Sequence, residues 1–156
     1  MIQRIQSIYL LLAGIIPAFT FMVPMARFYP DAGEGYYTLY GAAFHTVGLD
    51  AYAGAPSRPG GMMLLAAVMI LVTLCTIFCY KNRKKQMRLA VVAIIADIFY
   101  YVLYGSYCYA FSVNSGASYA FQIGALLPLL CILLTWQARR CIRRDEELVR
   151  AADRIR

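Results

Sequence analysis

The sequence predicts an all-α polytopic membrane protein, built as a four-transmembrane-helix bundle with both termini in the cytoplasm and a charged, amphipathic C-terminal helix. Three observations lead to this prediction. Of the 156 residues, 62% are hydrophobic and only 15% are charged, whereas soluble domains carry about 25% charged residues. Four segments each offer about 20 mostly apolar residues, the length that a helix needs to cross a bilayer. Lysine and arginine are also distributed very unevenly among the connecting segments.

The four predicted spans belong to one membrane domain that covers residues 1–156. We place the spans at about 5–25, 61–80, 89–111 and 120–137. The connecting segments are an outer loop at 26–60, a basic cytoplasmic loop at 81–88 and a cytoplasmic tail at 138–156. Pro17 and Pro128 fall inside spans, where a kink is the usual result.

The basic residues predict the orientation. Of the fifteen lysines and arginines, only Arg27 and Arg58 fall in the outer loop; the others lie at the N-terminus, in 81–88 and in the tail. Because cytoplasmic segments carry the basic excess, we expect both termini in the cytoplasm. Cleavage of the first span as a secretory signal is the alternative, but its apolar run of about 20 residues exceeds the 7–15 residues of a signal core.

The outer loop is predicted to form a small ordered cap on the bundle. Glycine, proline and aspartate punctuate it, and part of "YYTLYGAAFHTV" has the composition of strands. The loop is too short to bury a core of its own, so we expect it to pack on the helices. The second outer connection, "SVNSGAS" at 112–118, is predicted as a short turn between antiparallel neighbours.

Asp97 is the one charged residue inside the third span. An ionisable residue at such a position faces the bundle interior or water and is a functional hypothesis by default. Tyr100, Tyr101 and Tyr104 lie above it on the same helix face, where their hydroxyls can hydrogen-bond a carboxylate. Two interpretations stay open: Asp97 serves a proton- or ion-coupled transporter, or it is a structural carboxyl that links helices.

No catalytic, nucleotide-binding or metal-binding motif is found, so we expect no enzymatic activity and no cofactor. The five cysteines form no CxxC pair, and one histidine cannot supply HExxH. Methionines at both outer ends of spans one and two resemble a Cu(I) ligand set, although flexible core filling is the simpler interpretation. The outer tyrosines indicate an interfacial belt, with a lipid or quinone pocket as the alternative. Nothing indicates nucleic-acid binding.

The tail ends in "CIRRDEELVRAADRIR". Leu148, Ala152 and Ile155 recur at helical spacing and predict an apolar stripe. A polybasic membrane anchor would avoid acids, whereas this tail contains Asp145, Glu146, Glu147 and Asp153. The pattern therefore favours packing against protein, either the bundle or a partner. The tail either extends span four or lies along the membrane after a break near 138–142.

The opening "MIQRIQSIYLLLAG" and the closing "RRDEELVRAADRIR" resemble the two ends of a family of small four-span proteins of Bacteroidota, the domain of unknown function 4293 family. The resemblance implies a bacterial inner-membrane location and implies no catalytic residues. It draws attention to both cytoplasmic ends, where we expect Arg4 to meet a tail acid. The matching signature positions are Gln3, Arg4, Gln6, Asp145, Glu146, Leu148, Arg150, Asp153 and Arg154.

The sequence thus favours a non-enzymatic accessory or scaffold subunit whose cytoplasmic tail docks a protein partner. In the bilayer it associates with that partner or with copies of itself. The alternative is a small ion- or proton-coupled transporter or channel that uses Asp97.

Overall fold

The structure, a computed structural model, describes residues 2–30, 35–41, 43–47 and 59–155, with side chains except at 2–5, 81, 150 and 152–155. The helices are α1 (Ile2–Phe19), α2 (Gly60–Phe78), α3 (Arg83–Ser115) and α4 (Leu127–Ile155). The strands are β1 (Ala26–Tyr29), β2 (Tyr36–Leu39), β3 (Phe44–Val47) and β4 (Ser118–Phe121). Short 3₁₀ segments at Cys79–Lys81 and Ile123–Leu126 follow α2 and precede α4.

The four helices are arranged in a ring, in which α1 and α3 each contact both α2 and α4. Small residues line the contacts of α1. A Cβ atom added at Gly14 would lie 3.5 Å from the Thr73 side chain of α2, and the Cys131 thiol of α4 donates to the Ala13 carbonyl at 3.8 Å. Small side chains let helix backbones approach closely in an apolar setting, where dispersion rather than the hydrophobic effect holds helices together.

Among the described residues, three helical stretches are long and apolar enough to cross a membrane: α2, α3 and Ile123–Val149, which includes most of α4. Only 28%, 33% and 28% of their apolar windows are buried inside the protein, so their outer faces are suited to lipid. The apolar part of α1, Gln6–Phe19, is shorter. It gives way to a turn at 20–22 and then to β1, whereas the predicted first span continued to residue 25.

The cap predicted for the outer loop is present as an antiparallel sheet of order β3-β2-β1-β4. Its hairpin β2–β3 lies within the segment whose composition predicted strands; residues 48–58 of the loop lie outside the described part. The sheet packs on the end of α3, because Phe28, Phe44 and Tyr37 place their rings 4.6, 5.1 and 5.3 Å from that of Phe111. The cap therefore shares its core with the bundle and is not a separate domain.

Residues 118–126 differ from the prediction, which placed a turn at 112–118 and the start of a span at 120. Helix α3 continues to Ser115 and ends at Gly116, whose φ of 64° suits a residue without a side chain. The chain then forms β4, which pairs with β1 through Ala26 and Phe121. Pro128 consequently lies in the first turn of α4, where its missing N–H interrupts no helical hydrogen bond and needs no kink.

Gly124, in the 3₁₀ segment before α4, lies against the backbone of Val23 and Pro24, which connect α1 to β1. Its N–H donates to the Pro24 carbonyl at 3.0 Å. A Cβ atom added at Gly124 would lie 2.4 Å from the Pro24 carbonyl oxygen and 2.9 Å from that of Val23. Both atoms belong to backbone, which cannot rotate away as a side chain can.

We therefore expect Gly124→Ala to lower the stability of the protein by about 1–3 kcal/mol, the usual cost of overpacking. The measurement is the Tm of each variant in detergent, determined from thermal unfolding monitored by circular dichroism. Gly105→Ala is the matched control, because an added Cβ there meets no heavy atom within 4 Å. Equal Tm values for the two variants would contradict the close approach at Gly124.

Candidate functional site

Asp97 lies in the middle of α3 with only 2% of its surface exposed. It follows Ala90 and Ala93 on the buried face of that helix, so neighbouring helices approach it closely. It is near enough to the Cys131 thiol of α4 and to the Tyr101 hydroxyl to interact with both electrostatically. Among the described residues, no basic side chain forms an ion pair with it. The carboxyl therefore lies inside the bundle.

The three tyrosines above Asp97 do not donate to it. Tyr104 Oη donates to the Met25 carbonyl at 2.9 Å, and Tyr100 Oη lies 3.4 Å from Met25 Sδ. Tyr101 Oη donates to the Ala125 carbonyl at 2.5 Å and accepts from the Leu129 N–H at 3.1 Å. These backbone groups lie outside regular helix or sheet pairing and need partners once buried. The tyrosine hydroxyls therefore bond the segments that connect the helices to the sheet, and not the Asp97 carboxylate as expected.

A cleft of about 690 Å³ opens beside Tyr101 and Tyr104 on the side of the bundle where α3 meets β4 and α4. Gly105 of α3, Phe121 of β4 and Ile123 also line the cleft. Asp97 is not among the lining residues. This is the place where the alternative of a lipid or quinone pocket would fall, and it is separate from the buried carboxyl.

The methionines that resembled a copper ligand set divide into two environments. Met25 and Met62 are completely buried in the core shared by the sheet and the helices, whereas Met22 and Met63 are 77% and 54% exposed. His45 packs its ring edge against Tyr40 at 5.1 Å. The buried pair thus fills the core, which is the ordinary role of a flexible apolar side chain.

The first turns of α1 contact the tail of α4. Gln6 Nε2 of α1 donates to the Asp145 carboxylate of α4, and both side chains are buried. The side chain of Arg4, the predicted partner of a tail acid, lies outside the described residues. The helix α4 runs unbroken to Ile155, so the tail extends the fourth helix and has no break near 138–142.

Helix α4 presents a buried stripe to α1 that becomes exposed toward the C-terminus. Ala138 and Ile142 are fully buried and Asp145 is 7% exposed. Val149 continues the same stripe one turn later but is 46% exposed, and the adjacent Leu148 is 61% exposed. We call Leu148 and Val149 the tail patch.

Charged residues precede and follow this patch along the helix. Arg143 and Glu147 form an exposed i, i+4 ion pair of 3.2 Å on another face of the helix. Glu146 is half-buried and has an interaction of its own. Arg150, Asp153 and Arg154 continue the helical backbone, and their side chains lie outside the described residues.

These features define a class of protein: a helical bundle with membrane-length apolar helices, a small sheet at one end and a charged helical extension at the other. The family model for "Domain of unknown function (DUF4293)" matches residues 2–155, and the chain belongs to this family. The match includes both terminal motifs that carried the resemblance, with Gln6 and Asp145 among them. No functionally curated protein matches this sequence.

The contact between Gln6 and Asp145 predicts a measurable coupling. We expect Gln6→Leu to lower stability by about 1–3 kcal/mol, because the buried Asp145 carboxylate loses its donor. In Gln6→Leu/Asp145→Leu no buried polar group is left without a partner, so part of the loss should be recovered. The measurement is the Tm of the two single variants and the double variant in detergent. Strictly additive changes would contradict the contact.

Proposed function

We propose that this chain is a multi-pass protein of a bacterial inner membrane that acts as a non-enzymatic accessory or scaffold subunit. Its tail docks a protein partner on the cytoplasmic side. The observation that carries this proposal is the tail patch: the apolar stripe of α4 is fully buried at Ile142 and exposed at Leu148 and Val149. Exposed apolar residues that continue a packed stripe are a common mark of an interaction surface.

The end-to-end arrangement of the bundle supports a four-span topology. The contact between Gln6 and Asp145 puts the start of α1 beside the tail of α4, at the end of the bundle opposite the sheet. The basic segment 83–88 begins α3, and Arg139 and Arg140 follow the apolar part of α4. Basic residues gathered at one end favour that end as the cytoplasmic one.

The tail is suited to a protein partner because it is charged with both signs and held in place. Its acidic residues disfavour adsorption on an anionic membrane surface, and Arg143 and Glu147 neutralise each other on one face. The buried bond between Gln6 and Asp145 anchors the helix before the tail patch begins. An already ordered helix loses little conformational entropy when it binds, which favours affinity. From Asp145 to Ile155 it offers about 15 Å of helix.

We expect Leu148→Glu/Val149→Glu to reduce recovery of the partner by about tenfold or more, since burying two new carboxylates opposes docking. The measurement is quantitative mass spectrometry of proteins that co-purify with the full chain in mild detergent, after in-cell crosslinking. Both residues are exposed, so the Tm should stay close to that of the unchanged protein.

Arg143→Gln/Glu147→Gln is the matched control. It changes two exposed side chains of the same tail, preserves the net charge and leaves the tail patch intact. The docking proposal fails if both variants retain the same partners in the same amounts. If the only species lost is a second copy of this chain, the tail patch is a homo-oligomer contact and the accessory role is wrong.

A second candidate function, a small proton- or ion-coupled transporter or channel, is favoured by one observation. Asp97 is 2% exposed and has no ion pair in the described part of the chain. A carboxyl group kept inside a membrane bundle without a counter-charge is suited to bind and release a proton or a cation.

If the transporter candidate is right, Asp97→Asn abolishes proton flux in proteoliposomes, because the amide cannot carry the charge. The measurement uses a pH-sensitive dye trapped in the vesicles, with a potassium gradient and valinomycin as the driving force. Glu147→Gln is the control, since it removes an exposed carboxylate outside the bundle. Equal proton flux for Asp97→Asn and the unchanged protein, or no proton flux from either, rejects the proton-coupled form of this candidate.

A further inference from the structure

One face of α4 carries a cleft of about 350 Å³ that is lined by Trp136, Arg139, Arg140 and Arg143. We call it the Trp–Arg cleft. The Trp136 side chain is 47% exposed, and the guanidinium carbon of Arg140 lies 5.7 Å from the centre of its ring. A cation at this distance from an indole ring is attracted by the ring electrons. The two side chains therefore form one wall that is both aromatic and cationic.

The cleft faces away from the bundle. With 3.6 residues per turn, its four residues fall within about a third of the helix circumference. The buried residues Ala138 and Ile142 occupy the opposite side of the helix. What the cleft meets is therefore the surroundings of the protein and not another part of the described chain.

The depth of the cleft corresponds to a membrane–water interface. The apolar run that ends at Trp136 begins at Ile123, in the 3₁₀ segment before α4. By helical rise, Arg140 lies about 28 Å from Ile123, close to the thickness of a bilayer's hydrocarbon core of about 30 Å. If α4 crosses the membrane, the arginines stand at the level of lipid headgroups and Trp136 at the edge of the acyl chains.

The charges in the cleft are largely unneutralised. Among the described residues, neither Arg139 nor Arg140 forms an ion pair, while Arg143 is engaged on one side by Glu147 at 3.2 Å. Guanidinium groups present planar donor forks that match phosphate oxygens two at a time. The positive-inside rule depends only on the number of basic residues on each side of the membrane. It does not account for three arginines arranged around a tryptophan.

We propose that the Trp–Arg cleft binds the phosphodiester headgroup of an anionic phospholipid. Arg139 and Arg140 donate to the phosphate oxygens, and Trp136 packs against the glycerol backbone and the first carbons of the acyl chains. The site rests on the membrane-crossing placement of α4. It is independent of the partner-docking role, since the tail patch lies further along the helix on a different face.

Trp136 is the only tryptophan of the chain, so its fluorescence reports on the cleft alone. The full-length protein in a zwitterionic detergent is titrated with short-chain phosphatidylglycerol, with phosphatidylcholine of the same chain length, and with inorganic phosphate. We expect a saturable blue shift with phosphatidylglycerol at about a tenfold lower concentration than with phosphatidylcholine, and no shift with phosphate.

Two variants test whether the cleft itself binds. Arg139→Gln/Arg140→Gln should weaken phosphatidylglycerol binding about tenfold or more, because each basic residue near an anionic lipid contributes about a fivefold factor. Lys84→Gln/Lys85→Gln removes the same charge from the basic start of α3 and should change binding by less than about threefold. Arg139→Lys/Arg140→Lys keeps the charge, removes the forks and should give an intermediate loss.

The proposal is overturned if phosphatidylglycerol and phosphatidylcholine bind equally well. It is also overturned if the Lys84/Lys85 variant loses as much affinity as the Arg139/Arg140 variant, which would leave only general charge attraction. A blue shift with inorganic phosphate alone would make the cleft a free-anion site and not a lipid site. If Arg139→Gln/Arg140→Gln does not fold, the lysine variant decides: unchanged phosphatidylglycerol binding by Arg139→Lys/Arg140→Lys would show that the guanidinium groups do not recognise the phosphate.

Discussion

The backbone N–H and carbonyl of Met25 join three parts of the structure, and much of the remaining architecture depends on them. Its N–H donates to the Leu39 carbonyl of β2 at 2.8 Å, and its carbonyl accepts from the Gln122 N–H and from Tyr104 Oη, both at 2.9 Å. Met25 is fully buried. Backbone N–H and carbonyl groups that are buried must find hydrogen-bond partners. Here those partners come from the sheet, from the entry to α4 and from α3.

That requirement explains why the polar residues of the bundle interior divide into two groups. The tyrosines above Asp97 bond the connecting segments: Tyr104 holds Met25, and Tyr101 holds Ala125 and the N–H of Leu129. Their hydroxyls are structural. Asp97 has no such bond within the described part of the chain, so it is the interior residue that structure alone explains least. This contrast is why Asp97 remains the basis of the second candidate function.

Helix α4 combines three different surfaces along one continuous rod. Its inner stripe packs on α1 and ends in the bond between Asp145 and Gln6. Its outer face carries the Trp–Arg cleft, and its last turns carry the tail patch. Because the helix is unbroken, the proposed lipid site and the proposed docking site are held at a fixed distance from each other. A partner on the tail patch would therefore be positioned relative to the membrane surface.

The sequence by itself determined the class of protein, because apolar length and the clustering of basic residues are local properties. It predicted α2, most of α3 and a small ordered cap formed by the outer loop. Tertiary structure decided what depends on distant partners. Residues 120 and 121 belong to β4, since pairing with β1 outweighs an apolar run that periodicity cannot distinguish from helix. Likewise the bond between Gln6 and Asp145 depends on tertiary structure, because polar side chains 139 residues apart in the chain meet only when α1 and α4 pack together.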